Sequence, residues 1–387
     1  MSTQHGGTIT LKPISEVAEF YRNMIPANIP GTYALKPMFE SVAGEGDIRS
    51  GVIAFRDFLL LFCDRLISDG HLFAKPPKNP KSMDDYPFLH NVTNLMVDIG
   101  YYSKLAKSGD SLLITELPSC TASIDEKGKK SSPKISFTGL VECLRFLALC
   151  GFAFTGIDLE AKTLSASEVK LSEVFYPNNP ILLTGLKAMS IADMELRPGR
   201  RYWNDNNLLR CDYRLMKAED TDVLDVLKDT INTLPEDLQK FALKLHQRNM
   251  DMGMTCAMIT RGEIHFAYSY IKKNRQDLSS QDIYTQRVWG ISLSMTYGNC
   301  LVIRAKNTDK YADVIKSFPL SLQEIIAKGY GCDRKLRNER CQHGCQGIRI
   351  PLDDSILDIS KDIETWLDRE IFSRRARNCG SIVFSTV

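Results

Sequence analysis

The stretch that decides the fold is GMTCAMITRGEIHFAYSY, residues 253–270. Two strand-like runs, 253–260 and 263–271, meet at Arg261-Gly262, which reads as a tight hairpin turn. A second pair follows, 288–297 and 299–306, broken at Gly298-Asn299. Helical patterns flank this block of strands. Residues 222–232 and 236–248 come before it; 309–317, 320–328 and 355–372 come after. In the last of these, Ile356, Ile359, Ile363, Trp366 and Leu367 define the buried face. Strands in a block with helices around them imply a two-layer α/β sandwich with an antiparallel sheet. This C-terminal domain is expected over 208–387, opening with a strand at 209–216.

Upstream the pattern is mainly helical. Residues 1–50 are rich in Pro and Gly and read as irregular, with a short helix at 17–24. Phe55, Phe58, Leu59, Phe62 and Leu66 then share one face of a 3.6-residue period, and Gly70 is the expected stop. Next come a helix at 88–106, a strand at 111–117 and a polar loop at 122–133. A helix at 139–150 carries Leu140, Cys143, Leu144 and Leu147, and strand-like runs follow at 152–159 and 169–176. Pro177-Asn178-Asn179-Pro180 introduces a helix at 181–194. That order is winged-helix-like, so 51–200 is expected as one domain. The Pro/Gly/Asn-rich stretch 197–208 is the expected boundary. The whole chain is thus expected to be α+β.

Composition narrows the class. With 43% hydrophobic residues and a net charge of +2, the chain buries enough apolar surface to escape disorder. Its charge is balanced in both halves, so neither forms the basic field that non-specific phosphate binding uses. The apolar stretch 140–154 is interrupted by Glu142 and Arg145 and falls short of the roughly 20 residues that span a bilayer. The first residues lack the apolar core of a signal peptide. Eleven cysteines is an odd number, and Cys63, Cys143, Cys150, Cys256 and Cys300 lie in apolar patterns, as reduced buried thiols do. A soluble, cytoplasmic protein with no membrane partner is expected.

The sequence holds no P-loop, no G-x-G-x-x-G, no G-x-S-x-G and no H-E-x-x-H. The scattered His71, His90, His246 and His265 read as structural residues. Glu263, His265, Ala267 and Ser269 share one strand face by alternation, and that polar face is expected to meet solvent. Three constellations remain. Cys332, Cys341, His343 and Cys345 supply four ligands of the types tetrahedral zinc takes. Their C-x8-C-x3-C spacing, however, lacks the close pairs of zinc knuckles. Arg334, Lys335, Arg337, Arg340 and Arg349 surround them, which would lower a thiol pKa or hold an anion.

The second constellation is a recognition helix for DNA at 139–150. It carries a single basic residue, Arg145, with Lys127, Lys129, Lys130, Lys134, Arg197, Arg200 and Arg201 nearby in sequence as phosphate contacts. The third is an aromatic ligand pocket. Phe266, Tyr268, Tyr270, Trp289 and Tyr297 lie on the central strands and Tyr202 and Trp203 at the domain junction, with His265 among them.

Three segments carry a likeness: YPFLHNVTNLMVDIGYYSKL, YPNNPILLTGLKAMSIAD and GYGCDRKLRNERCQHGCQGIRIPLDDSILDI. Through them the chain resembles, over its whole length, a group of uncharacterised proteins from anaerobic Gram-positive bacteria, which supplies no functional residues to transfer. The last 140 or so residues faintly resemble the small YdhG-type α/β domain. The likeness rests on Gly253-Met254, the paired strands and the closing IRIPLDDSI; it implies a compact fold with a ligand cleft. The Cys-rich segment departs from that pattern.

The expectation is a non-enzymatic binding or regulatory protein that senses a small molecule or a metal, zinc in the latter case, through its C-terminal domain. The alternatives are a winged-helix DNA-binding transcriptional regulator and an enzyme using a reactive cysteine within 332–345.

Overall fold

The computed structural model describes residues 10–124, 130–196, 208–219, 221–260, 263–270, 280–295, 297–305, 308–328 and 347–378. The protein is α+β and divides into two compact units, residues 1–221 and 222–387.

In the first unit the helices are α1 (Ile14–Met24), α2 (Glu45–Phe73), α3 (Pro87–Tyr102), α4 (Phe137–Leu149), a single turn α5 (Ala166–Val169) and α6 (Ile181–Glu195). The strands are short: β1 (Ser103–Leu105), β2 (Ser111–Ile114), the pair β3 (Ser123–Ile124) and β4 (Lys130–Ser131), then β5 (Ala153–Phe154) and β6 (Glu173–Phe175). An antiparallel sheet forms in the order β1-β2-β6-β5. The expected apolar faces are the buried ones. Phe55, Phe58, Leu59, Phe62 and Leu66 of α2 and Leu140, Cys143, Leu144 and Leu147 of α4 are all nearly inaccessible to solvent. Phe62 meets Phe146 edge-on with ring centroids 5.2 Å apart, and Phe58 meets Phe152 the same way at 5.1 Å.

Several expected boundaries are corrected. Helix α2 begins at Glu45, inside the segment read as irregular, and passes through Gly70 to Phe73. Its early glycine, Gly51, is required by packing: a Cβ there would stand 2.6 Å from the Gly185 amide nitrogen and 2.7 Å from the Ile181 carbonyl oxygen of α6. Backbones this close leave no room for a side chain. Helix α3 ends at Tyr102, because the chain turns into β1 rather than continuing to 106. The strand expected over 169–176 is shorter: Val169 closes the α5 turn, which starts under a capping box from Ser165 and Glu168, and β6 begins only at Glu173. The expected strand at 209–216 is a turn followed by a 3-10 helix, Tyr213–Met216. Its backbone bonds go elsewhere: the Met216 carbonyl accepts from the Lys36 amide, and the Ala218 amide donates to the Ala34 carbonyl.

The second unit opens with α7 (Val223–Ile231) and α8 (Glu236–Asp251). Its strands are β7 (Thr255–Thr260), β8 (Glu263–Ser269), β9 (Trp289–Ser294), β10 (Gly298–Ile303) and β11 (Ile348–Pro351). The remaining helices are α9 (Ser280–Gln286), α10 (Ala312–Lys316), α11 (Leu320–Lys328), α12 (Ser355–Asp358) and α13 (Ser360–Asn378). The five strands form one antiparallel sheet in the order β11-β10-β9-β8-β7. The β9–β10 connection differs from the expected Gly298-Asn299 turn. Gly298 already pairs with Ser294 as the first residue of β10, with φ +67.

Alternation gives the sheet two unlike faces. One carries Ile264, Phe266, Tyr268, Trp289, Ile291 and Leu301, all buried. The Tyr268 hydroxyl and His246 Nδ1 of α8 share a hydrogen bond of 2.9 Å, and Trp289 Nε1 donates to Asn249 Oδ1 at 3.2 Å. Helix α13 is tied to α8 by Lys244 and Arg248, both paired with Glu364. The opposite face is covered by α9. Ile283 packs on Ala257 and Ala267, and the Ser269 hydroxyl donates to the Ile283 carbonyl.

Candidate functional site

The second face, lying under α9, is the polar one. The expectation that Glu263, His265, Ala267 and Ser269 meet solvent is corrected, because Ala267 and Ser269 are fully buried and His265 is 2% exposed. Register sets the neighbours: His265 lies opposite Ser292, which lies opposite Cys300. One step along, Ala267, Gly290, Val302 and Arg349 form the adjacent row. Ser292, Ser294 and Cys300 are buried on this face with His265.

Gly290 makes room for the imidazole. A Cβ at that position would stand 2.5 Å from His265 Nε2. The ring meets the edge of Tyr284 of α9, with centroids 5.1 Å apart. Two arginines flank it. Arg287, between α9 and β9, lays its guanidinium 3.8 Å over the Tyr284 ring and donates to that residue's carbonyl at 2.8 Å. Arg349 of β11 lies 3.8 Å over the Tyr297 ring, with Nη1 4.0 Å from Cys300 Sγ. Arg287 is buried; Arg349 is half-buried and Tyr297 is exposed, so the face opens toward the β11 edge.

The electrostatics follow from this geometry. Burial holds the His265 imidazole well below its ordinary range, and the Arg287 and Arg349 charges push the same way. The ring is neutral near pH 7, with one nitrogen a donor and the other an acceptor. Neither has a hydrogen-bond partner. A buried polar atom left unpaired costs about 1–3 kcal/mol, so two on one ring require an explanation.

The aromatic set expected to line a pocket is divided by the sheet. His265 belongs to the polar face, and Tyr297 sits beneath Arg349 at its margin. Phe266, Tyr268 and Trp289 point to the other face. There Tyr268 and Trp289 stack with centroids 4.0 Å apart and planes within 2°, as part of the core. Tyr202, Trp203, Cys332, Cys341, His343 and Cys345 lie outside the described residues. Arg287 and Tyr284 were missed in the sequence; their signal was a single arginine at a helix end, just before the strand that starts at Trp289.

Among the described residues no group of three or more His, Cys, Asp and Glu side chains could hold a metal ion. Burial pushes the thiols of Cys63, Cys120, Cys150 and Cys256 up to about 12, where they stay protonated at neutral pH. In helix α4, Arg145 donates to the carbonyls of Leu159 at 2.6 Å and Ala161 at 3.1 Å. The first unit holds a strongly perturbed carboxyl group among its described residues. Burial pushes Asp98 of α3 up to about 6, although it accepts a hydrogen bond from the Ser119 amide at 2.7 Å. Among the described residues no helix is long and apolar enough to cross a membrane.

Compared with known proteins, the chain matches no family model, no curated protein and no solved structure.

Proposed function

We propose that this is a non-enzymatic, cytoplasmic binding protein whose second unit takes a small molecule on the polar face of its five-stranded sheet. The observation that carries this reading is His265, an almost wholly buried imidazole whose two nitrogens have no hydrogen-bond partner. A ligand that accepts from one nitrogen and donates to the other removes that cost, so its binding is favoured by the whole of the recovered hydrogen bonding. The buried thiols of Cys63, Cys120, Cys150 and Cys256 stay protonated and are not poised as nucleophiles, and buried free cysteines fit a reducing compartment. A DNA-reading role draws less support. The face of α4 is apolar and its one arginine is occupied by carbonyl oxygens.

The test is a thermal-shift screen of the full chain against a broad metabolite library. A ligand of the native state raises the melting temperature by mass action, and His265→Leu should abolish that rise. A ligand whose stabilisation survives His265→Leu would place the binding site elsewhere, and a library without any stabilising compound would sink the reading.

A further inference from the structure

Strand β7 closes one side of the five-stranded sheet, pairing with β8 alone. It is six residues long, and its register with β8 runs unbroken from Thr255↔Ser269 to Thr260↔Ile264. Among the described residues, no backbone hydrogen bond of Thr255 to Ile259 goes to any segment but β8. The outward N–H and C=O groups of β7 are thus open to water or to another strand.

Exposed edges are ordinarily blunted by a charge, a proline, a bulge or shortness. The other edges among the described residues follow that rule. Strand β11 has four residues, with Arg349 inside it and Pro351 at its end. In the first unit, β1 has three residues including Lys104, and β3, β4 and β5 have two each. The β7 sequence, TCAMIT, has no charge and no proline, and its register shows no bulge.

We infer that this edge binds a second copy of the chain, β7 antiparallel to β7, so that the two sheets run on as one. A two-fold axis normal to the sheet keeps each face on its own side. A residue of β7 then meets one from the same face of the copy, with Ala257 or Met258 on the axis. Thr255, Ala257 and Ile259 meet their own row, Cys256 and Met258 meet theirs, and no charge is opposed. Thr255 is exposed and Cys256 and Met258 are half-buried, so an added strand covers side chains as well as backbone. Helices α7 and α9 both pack against β7, α9 through Ile283 on Ala257. They stand beside the joint in each copy and add side-chain area to the ladder, toward the roughly 1,000 Å² of a specific interface. A charged strand from another protein would set its charges against Cys256 and Met258. The chain's own β7 brings the matching uncharged alternation.

The test joins sedimentation velocity of the full chain across micromolar concentrations to hydrogen exchange resolved at single β7 amides. The expected particle holds two chains, with the β7 amides that do not bond β8 protected and that protection lost as dilution separates the copies. Met258→Lys sets a charge at or beside the axis and should weaken the association about tenfold. Thr255→Lys, at an exposed position that the single chain tolerates, should weaken it too and serves if the first variant does not fold. A single chain at every concentration overturns the inference. Freely exchanging β7 amides in that single chain would leave the edge to a strand of a different protein, and protected ones would mean that another segment of this chain covers it. Two chains whose outward β7 amides exchange freely, or whose association neither lysine weakens, meet elsewhere, and the inference falls. None of these results bears on the ligand reading above, which concerns a face of the sheet and not its edge.

Discussion

The His265 imidazole lies directly over Gly290: a Cβ on the glycine would stand 2.5 Å from Nε2, and equally close to the Phe266 carbonyl oxygen. The strand can carry the buried histidine only because its neighbour has no side chain. Gly290→Ala should therefore destabilise the protein by about 1–3 kcal/mol through overpacking, read as a lower urea midpoint at unchanged slope. Adding His265→Ala should recover part of the loss, because the clash with the Phe266 backbone remains. A Gly290→Ala variant as stable as the parent would show that both the imidazole and the Phe266 backbone yield to the added methyl group.

Gly51 and Gly185 form the equivalent contact in the first unit, where α2 crosses α6 backbone to backbone. Gly51→Ala puts a methyl group 2.6 Å from the Gly185 amide nitrogen. Neither helix has a flexible side-chain end that could yield. The expected cost is about 3 kcal/mol, at the upper end of overpacking in well-packed cores, measured by chemical denaturation. A cost under about 0.5 kcal/mol, typical of surface sites, would mean that the helices separate without penalty.

Asp98 should give the stability a pH signature opposite to that of a salt-bridged carboxylate. Burial raises its folded-state value from 3.8 to about 6. The native state thus binds the proton more tightly than the unfolded chain, and stability from this group is fully present below pH 4 and lost as pH rises to 6. The span is about 3 kcal/mol at most, at 1.36 kcal/mol per unit. Asp98→Asn keeps an oxygen to accept the Ser119 amide and removes the charge. Its stability relative to the parent should improve by about 1–2 kcal/mol between pH 4 and pH 7.5, a fraction of that span. A difference between the two proteins that does not change with pH would refute the assignment.

Glu370 of α13 is fully buried, accepts from the Tyr311 hydroxyl and pairs with Arg374 at 2.9 Å. Arg374 also donates to the backbone carbonyls of Arg287 and Arg304, which joins α13 to the ends of two sheet segments. Glu370→Gln removes the charge that the half-buried Arg374 guanidinium faces and leaves it donating to backbone carbonyls. Breaking one side of such a pair costs about 3–5 kcal/mol, so the urea midpoint should fall steeply. Arg374→Met with Glu370→Gln should recover part of it, and an absence of loss in the single variant would count against a buried pair.

How much was legible in the sequence differs between the two units for a physical reason. Long amphipathic faces such as Phe55 to Leu66 announce their helix because each apolar residue meets the core. The hairpin around Arg261-Gly262 announces itself by alternation. The 209–216 segment did not, since Leu208, Leu209, Cys211, Tyr213 and Met216 are buried in a turn and a 3-10 helix that the same alternation mimics. Early α2 was hidden by Gly46 and Gly51, read as loop residues although Gly51 is there for a helix crossing. The site was half visible. His265 could be placed on the polar face, but not its burial, because the helix that covers it lies between the two hairpins. Arg287 becomes part of the site only once α9 folds over the sheet.

Strand β8 turns one flank to Tyr268 and Phe266 and the other to His265, in strict alternation between core and candidate site. A single residue inserted or deleted within it would exchange the two sets at once. The imidazole would be driven among the core aromatics and an aromatic ring into the space between the arginines. The strand can therefore change by substitution but not by length, and a variant that alters the candidate site while keeping the fold must do so one side chain at a time.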